Sequence, residues 1–221
     1  RGIARALTER TMQHARGKNT TALWLHVRDD NPGAVKLYAD LGFHEITRRS
    51  AWIATPDSTL PALDSDIHIV PRHADFWTQQ QDWLRRVYPD VIAWYHHWGC
   101  HSLRPGFWAW LSNLFTDSEI AQGAAIQNGE LAATLSSAPR GTRLASLFLA
   151  AAGESTVREA EAVKSLLVHA RRALRHHSSL SLDFPGGELT DAIASAGFKL
   201  RRTLIWMRAD ATQLSLSRIK T

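Results

Sequence analysis

The same succession of elements is encoded twice in this sequence of 221 residues, once at its start and once near its end. Each time, a long helical pattern is followed by an apolar strand, a short helix, a Gly-Phe pair and a second strand. The pairs are Gly42-Phe43 and Gly197-Phe198, and a glycine followed by an apolar residue is a common way to end a helix. The order predicts one and a half copies of one mixed α/β unit.

The first copy has clear local signals. We expect a helix over residues 2–15, a strand over 22–27, a helix that Asn31 caps and Pro32 begins, and a strand over 43–54. A stretch of linker composition follows. The predicted limits are a first domain at 1–55, a linker at 56–64, a second domain at 65–210 and a loose tail at 211–221.

The second part is predicted to be α/β, with a mostly antiparallel sheet flanked by helices. Asn128-Gly129 between two alternating stretches is the strongest short-range signal for a hairpin. Helices are predicted over about 74–87, 105–114, 156–175 and 189–196, and strands over 67–70, 119–127, 130–136, 144–150, 180–184 and 198–207.

Two motifs in the first copy point to a known family. Arg1-Gly2-Ile3-Ala4 has the form of the last four positions of Q/R-x-x-G-x-G/A, and residues 31–43 have the form N-x-x-A-x-x-L-Y-x-x-x-G-F. Both resemble signatures of the GNAT superfamily of acyl-CoA N-acyltransferases. The resemblance implies the C-terminal half of a GNAT domain, acetyl-CoA as co-substrate, and a small-molecule or peptide amine as acceptor. It also implies an oxyanion donor and a base upstream of Arg1, so we expect these residues alone to be inactive and to bind acetyl-CoA poorly.

The start of the first helix is the candidate cofactor site. A helix that opens with Gly2, Ile3 and Ala4 has no capping side chain, so its N–H groups and positive dipole end are available to an anion such as pyrophosphate. Arg1 and Arg5 add positive charge. A frayed helix start would have the same sequence.

Asn31 and Tyr38 each allow two interpretations. Asn31 can cap the helix that Pro32 begins, and the family resemblance adds a contact with the pantetheine arm of the cofactor. Tyr38 can be a packed aromatic residue, whereas the resemblance implies that its hydroxyl protonates the departing thiolate. His26 alternates with Leu25 and Val27 along its strand, faces away from them, and is a candidate base.

The second copy lacks these functional side chains. The position equivalent to Tyr38, which we call its slot, holds Ile193, and the position equivalent to Asn31 holds Gly186. Thr156 and Glu159 predict a capping box that satisfies the helix N–H groups internally. We therefore interpret 65–210 as a GNAT-like domain that has lost its cofactor site and serves structure or substrate recognition.

Composition limits the other functions. The net charge of +5 is spread along the chain, and its densest basic stretch, 171–177, ends a predicted helix, so we expect no nucleic-acid partner. No apolar run approaches the ~20 residues of a membrane helix. The lone Cys100 fits a reducing compartment, and we predict a cytoplasmic protein that could form a homodimer. Four possible zinc ligands do not fit a common zinc spacing, so no metal is predicted: His96, His97, Cys100 and His101.

Two alternatives to an enzyme stay open. One is a non-catalytic acyl-CoA sensor or scaffold, and the other is a protein-interaction module built on a tryptophan-rich surface. Most of these tryptophans can equally be core residues or line a cleft. They are Trp77, Trp83, Trp94, Trp98, Trp108 and Trp110.

Overall fold

A computed structural model describes residues 2–18, 20–60, 66–92, 94–95, 103–104, 122–140, 143–154 and 156–210. The chain divides into two compact units, Arg1–Ser50 with Arg202–Thr221 and Ala51–Arg201. The predicted helix at 105–114 and the predicted tail at 211–221 lie outside the described residues. None of the described helices is long and apolar enough to cross a membrane.

The described residues of the first unit form two helices and three strands. They are α1 (Ile3–Arg16), β1 (Ala22–Arg28), α2 (Pro32–Asp40), residues 44–50 of β2 (His44–Ala54) and residues 202–210 of β8 (Lys199–Asp210). The strand order is β1-β8-β2. β1 and β8 are antiparallel, from Ala22 opposite Asp210 to Arg28 opposite Leu204.

The second unit is mixed α/β with mostly antiparallel pairing. Its strands are β3 (Ile67–Pro71), β4 (Gln122–Gln127), β5 (Glu130–Arg140), β6 (Leu144–Ala151) and β7 (Ser179–Pro185). Its α-helices are α3 (Trp77–Val87), α4 (Val157–Ala173) and α5 (Thr190–Ser195). The order is β7-β6-β5-β4-β3, and of these pairs only β6 and β7 run parallel. The predicted fold class is confirmed.

The predicted hairpin is also confirmed. β4 and β5 pair antiparallel, and Asn128 and Gly129 have φ angles of 53° and 78°. Positive φ at both central residues is the requirement of the tight turn that matches the twist of a hairpin, which explains why this pair of residues occurs there.

Both Gly-Phe pairs end their helices in the same way. The N–H of Phe43 donates to the carbonyl of Tyr38 at 3.0 Å, and that of Phe198 donates to Ile193 at 3.3 Å. The glycine before each phenylalanine has a positive φ, 90° in the first copy and 84° in the second. This bonding is typical of a helix C-terminus that needs glycine, and it places Ile193 in the slot of Tyr38, as the sequence predicts.

The last described strand, β8, lies in the sheet of the first unit, which the sequence does not reveal. β8 lies between β1 and β2, and its residues 202–210 belong to the first unit. Residues 51–54 of β2 belong in turn to the second unit, where the next strand is β7. Because the division falls inside β2 and β8, the compact units are not the predicted domains, and those domain limits stay a prediction.

Arg171, in the basic stretch at the end of α4, has a structural role in the second unit. Its side chain donates to the carbonyls of Thr55 and Ala196, each at 3.0 Å. Its own carbonyl accepts from the N–H of Asp57 at 2.8 Å. These bonds tie Thr55 and the start of the predicted linker, at Asp57, to α4.

Core packing in the first unit predicts how much the stability of this unit depends on β8. Ile205 is 2% exposed and packs with β1, α1 and α2 side chains, whereas Leu200 in the same strand is 49% exposed. Ile205→Ala should lower the free energy of unfolding by about 2–5 kcal/mol, and Leu200→Ala should change it by less than about 0.5 kcal/mol. Urea unfolding measures both. Hydrogen exchange of the β1 amides should accelerate only in the first variant, and equal β1 exchange in both would contradict the placement of β8.

Candidate functional site

The first turn of α1 is open, as predicted for an anion site. Gly2 precedes the helix with φ 104° and offers no capping side chain, and among the described residues no atom other than those of its chain neighbours lies within 4 Å of the position that a Cβ would take. The first turn contains no acidic residue, Ile3 is 73% exposed, and Ala4 is also exposed. Free N–H groups at the positive end of a helix dipole attract anions. Arg1 lies outside the described residues.

Arg5 lies one turn into α1 and is held by carboxylates. Its guanidinium is 3.6 Å from Asp40 and 4.0 Å from Glu9, and its side chain is 43% exposed. Exposed pairs of this kind contribute about 0–1 kcal/mol, so a phosphate could displace them at low cost.

Asn31 caps α2, which confirms its structural interpretation. Its Oδ1 accepts from the N–H of Ala34 at 3.0 Å, and Pro32 follows at the first helical position. The neighbouring Asp30 accepts two hydrogen bonds from Arg28, and these hold the pKa of that carboxyl below its usual range. The negative charge beside Asn31 is therefore paired with a guanidinium.

Tyr38 packs by its ring and leaves its hydroxyl unengaged. The ring is partly buried against the core of the first unit and meets Phe43 edge-on, with centroids 6.1 Å apart. The hydroxyl makes no hydrogen bond within the described part of the chain. Asn31 and Tyr38 are two helical turns apart, roughly 10 Å along the axis, and thus share one side of α2.

His26 lies on the other face of the β1–β8 sheet, as alternation predicts. Leu25 and Val27 pack with the core on the α1 and α2 side, while the His26 ring lies 3.9 Å from that of Trp206, tilted by 36°. On the same face, Arg208 lies 6.0 Å from the centroid of the Trp24 ring. This aromatic and cationic face could not be predicted from the sequence, because half of it comes from β8.

The second copy has the helix cap that its sequence predicts. The Oγ1 of Thr156 accepts from the N–H of Glu159 at 3.2 Å. Ile193, in the slot of the tyrosine, is fully buried. This copy offers neither an open helix start nor a free hydroxyl at the equivalent places.

The possible zinc ligands and the tryptophans lie only partly within the described residues. Within the described ranges, no group of three or more His, Cys, Asp or Glu could hold a metal ion. The His and Cys residues at 96–101, whose spacing fits no common zinc site, lie outside these ranges. Trp77 and Trp83 pack partly buried on the core of the second unit, whereas Trp94 is 57% exposed beside Tyr95. The tryptophans at 98, 108 and 110 are outside the described residues.

Comparison with known proteins gives a family match over the first 43 residues and a fold likeness over most of the chain. Residues 1–43 match the model of the acetyltransferase (GNAT) family. Over 62 residues the chain is 37% identical to the ribosomal protein bS18 alanine N-acetyltransferase of Escherichia coli strain K12, which covers 28% of this chain and 42% of that enzyme. The chain thus spans less than half of the length of this curated relative.

Solved structures extend the likeness to nearly the whole chain. A GCN5-related N-acetyltransferase from Sphaerobacter thermophilus aligns with 95% of this chain and 68% of its own, with a TM-score of 0.56 and 12% identity. The chain has the GNAT fold. A GCN5-related N-acetyltransferase from Kribbella flavida aligns with 89% of this chain and 71% of its own, with a TM-score of 0.52 and 12% identity. At such identities the structural likeness shows the fold, and the GNAT family model covers α1, β1 and α2, which carry the candidate residues.

Proposed function

We propose that this chain carries the acyl-coenzyme A site of a tandem GNAT N-acetyltransferase, and that the site lies in the N-terminal copy. The observation that carries the proposal is the uncapped start of α1, where Gly2 leaves open space and no acidic side chain opposes an anion. Arg1, Gly2, Ile3, Ala4 and Arg5 would bind the pyrophosphate through N–H groups and positive charge. The family match over 1–43 supports this assignment.

The proposed reaction is direct attack of a neutral amine on the thioester carbon of acetyl-CoA. A new C–N bond forms, the C–S bond breaks, and the thiolate leaves with the electron pair. Tyr38 would donate its hydroxyl proton to the thiolate, and Asn31 would contact the pantetheine arm while it caps α2. His26 is the candidate in this chain to accept the proton of the amine. The hydroxyl of Tyr38 makes no hydrogen bond to any residue that the structure describes, which supports the acid role.

The acceptor is proposed to be an amine of a small molecule or peptide. The Escherichia coli relative is named as an alanine N-acetyltransferase of a ribosomal protein, which favours a peptide amine. The second copy would serve structure or substrate recognition, and we propose a cytoplasmic enzyme that can form homodimers. The rival acyl-CoA sensor would retain cofactor binding without acetyl transfer, so a transfer assay separates it from the enzyme.

A footprint of the bound cofactor tests the location of the site. Coenzyme A should slow hydrogen exchange of residues 2–8 at the start of α1 in an enzyme that contains this chain, since bound phosphate engages those N–H groups. At saturation the slowing should be about tenfold or more. The equivalent segment 153–160 serves as internal control and should not change. Bound coenzyme A that leaves 2–8 unprotected would contradict the proposed site.

A further inference from the structure

A cavity of about 340 Å³ lies in the second unit, between the C-terminal half of α4 and the strands β3, β4 and β5. Well-packed protein interiors hold few voids larger than one water molecule, whereas small-molecule sites are commonly concave spaces of about 300–1,000 Å³. The cavity is partly open to solvent, and it begins roughly 13 Å along α4 from the helix start at Val157. The space is therefore large enough for a ligand and lies away from the start of this helix.

Small residues create this space beneath α4. A Cβ on Gly123 of β4 would lie 3.5 Å from the Leu166 side chain and 4.0 Å from that of Ile69. Ser137, which is 4% exposed, and Ala170, which is 6% exposed, line the same space. Larger apolar side chains at these positions would fill the interior and stabilise it through burial of apolar surface. Their absence leaves an inner wall that a small molecule can reach.

The wall of the cavity is mostly apolar. Leu135 and Leu166 are 6% and 1% exposed, so they form its inner part. Ile69 and Val70 of β3 and Leu174 at the end of α4 continue the aliphatic lining. Such a wall favours a ligand with an apolar body, held in place by a small number of polar groups.

Three polar side chains line the cavity, and each can donate a hydrogen bond: Gln122, Ser137 and His169. The Oε1 of Gln122 already accepts from the Nε of Arg72 at 2.6 Å, so its amide N–H groups remain for a ligand. A serine hydroxyl that has one partner keeps further bonding positions. Burial lowers the pKa of His169, and the charge of Arg172 lowers it further, so the imidazole is neutral at pH 7 and donates through one ring N–H.

The charges next to the cavity are positive. None of the described lining residues is acidic. The guanidinium of Arg72 is bonded to Gln122, and its Nη1 is buried without a hydrogen bond to any residue that the structure describes. Arg172 follows His169 by one turn of α4 and is close enough to affect its pKa. This arrangement favours an anionic head group and opposes a cationic one.

We propose that this cavity is a binding site for a small aromatic or aliphatic carboxylic acid, with its apolar body on Leu135 and Leu166 and its carboxylate beside His169. The site would give the second unit a ligand of its own. It does not rest on the proposed function, because none of the described lining residues falls within 1–43.

Two probes with one apolar body and opposite charges test the site: biphenyl-4-carboxylate and biphenyl-4-ylmethylammonium. In nuclear magnetic resonance of the whole chain, the carboxylate should shift the amide signals of Gly123 and Ala170 and the imidazole signals of His169. These shifts should saturate with a dissociation constant of about 0.1–1 mM, the affinity usual for a ligand of this size. The ammonium should bind at least about tenfold more weakly. Because the signals are residue-specific, binding at residues 2–8 is scored separately from binding in the cavity.

Variants that fill the cavity complete the test. Ala170→Leu should weaken binding of the carboxylate at least about tenfold, whereas Ala194→Leu, the same change at an exposed position of α5, should leave the affinity unchanged. If Ala170→Leu does not fold, Gly123→Ala tests the same space, because its Cβ makes only ordinary contacts, and it should weaken binding about threefold. Three results would each overturn the proposal: no saturable shift of the cavity signals up to about 5 mM carboxylate, equal affinity for the two probes, or undiminished affinity in a folded filling variant.

Discussion

Tyr38→Phe is expected to lower the turnover number of acetyl transfer by about 10²-fold or more, the usual contribution of a general acid. The substitution removes only the hydroxyl, which makes no hydrogen bond within the described residues, and it keeps the ring that packs on Phe43. The fold and the affinity for acetyl-CoA should therefore change little. Steady-state kinetics gives the turnover number, and a separate titration gives the affinity.

Tyr95→Phe is the matched control for this experiment. Tyr95 is 40% exposed in the second unit and has no proposed part in the reaction. It should leave turnover unchanged. If Tyr38→Phe also turns over at the rate of the unsubstituted enzyme, then Tyr38 has only the packing role that its ring already shows.

The local signals in the sequence predicted the elements of the fold well. Asn31 and Pro32 specify the start of α2, and Gly42 its end. Asn31 and Gly42 act through bonds to residues a few positions away, and Pro32 through its fixed φ. The Asn128-Gly129 turn is specified in the same way. Such short-range chemistry can be read from one sequence.

The placement of β8 could not be predicted by the same reasoning. Alternation of buried residues such as Ile205 and Met207 shows which face of the strand is buried. It does not show which other strand pairs with either edge of β8. The sequence predicts β8 within the domain at 65–210, and that limit stays a prediction. In the structure, residues 202–210 lie in the first compact unit and pair with β1. The aromatic face around His26 and Trp206 was missed for this reason.

The parts of the candidate site that depend on a helix terminus could be predicted from the sequence. The parts that depend on contacts between distant residues could not. The open start at Gly2 and the cap at Thr156 follow from side chains that are present or absent within one turn. The contact between His26 and Trp206 joins residues far apart in the chain, and no local pattern encodes it. The roles of Asn31 and Tyr38 toward the cofactor stay predictions.

A negative side chain at the start of α1 should weaken acetyl-CoA binding by about tenfold or more. Ile3 is the first residue of α1 and is 73% exposed, so Ile3→Glu adds a charge without loss of packing. Repulsion between this carboxylate and the pyrophosphate at about 6 Å amounts to a few kcal/mol at an effective dielectric constant near 20, and 1.4 kcal/mol already corresponds to tenfold. The carboxylate also suits the helix dipole, so α1 itself should persist.

The second copy offers a matched control at the equivalent position. Val157 is the first residue of α4, β-branched like Ile3, and 80% exposed. Val157→Glu adds the same charge at the start of the other helix. Gly153 would be a poor control, because a side chain there meets Arg86 and would alter packing as well as charge.

Calorimetric titration with acetyl-CoA of an enzyme that contains this chain, as the unsubstituted protein and as these two variants, tests the single N-terminal site most directly. We predict one molecule bound per chain in the unsubstituted enzyme, the same affinity in Val157→Glu, and an affinity at least about tenfold lower in Ile3→Glu. Equal weakening by both substitutions, or undiminished binding in Ile3→Glu, would contradict a cofactor site at the start of α1.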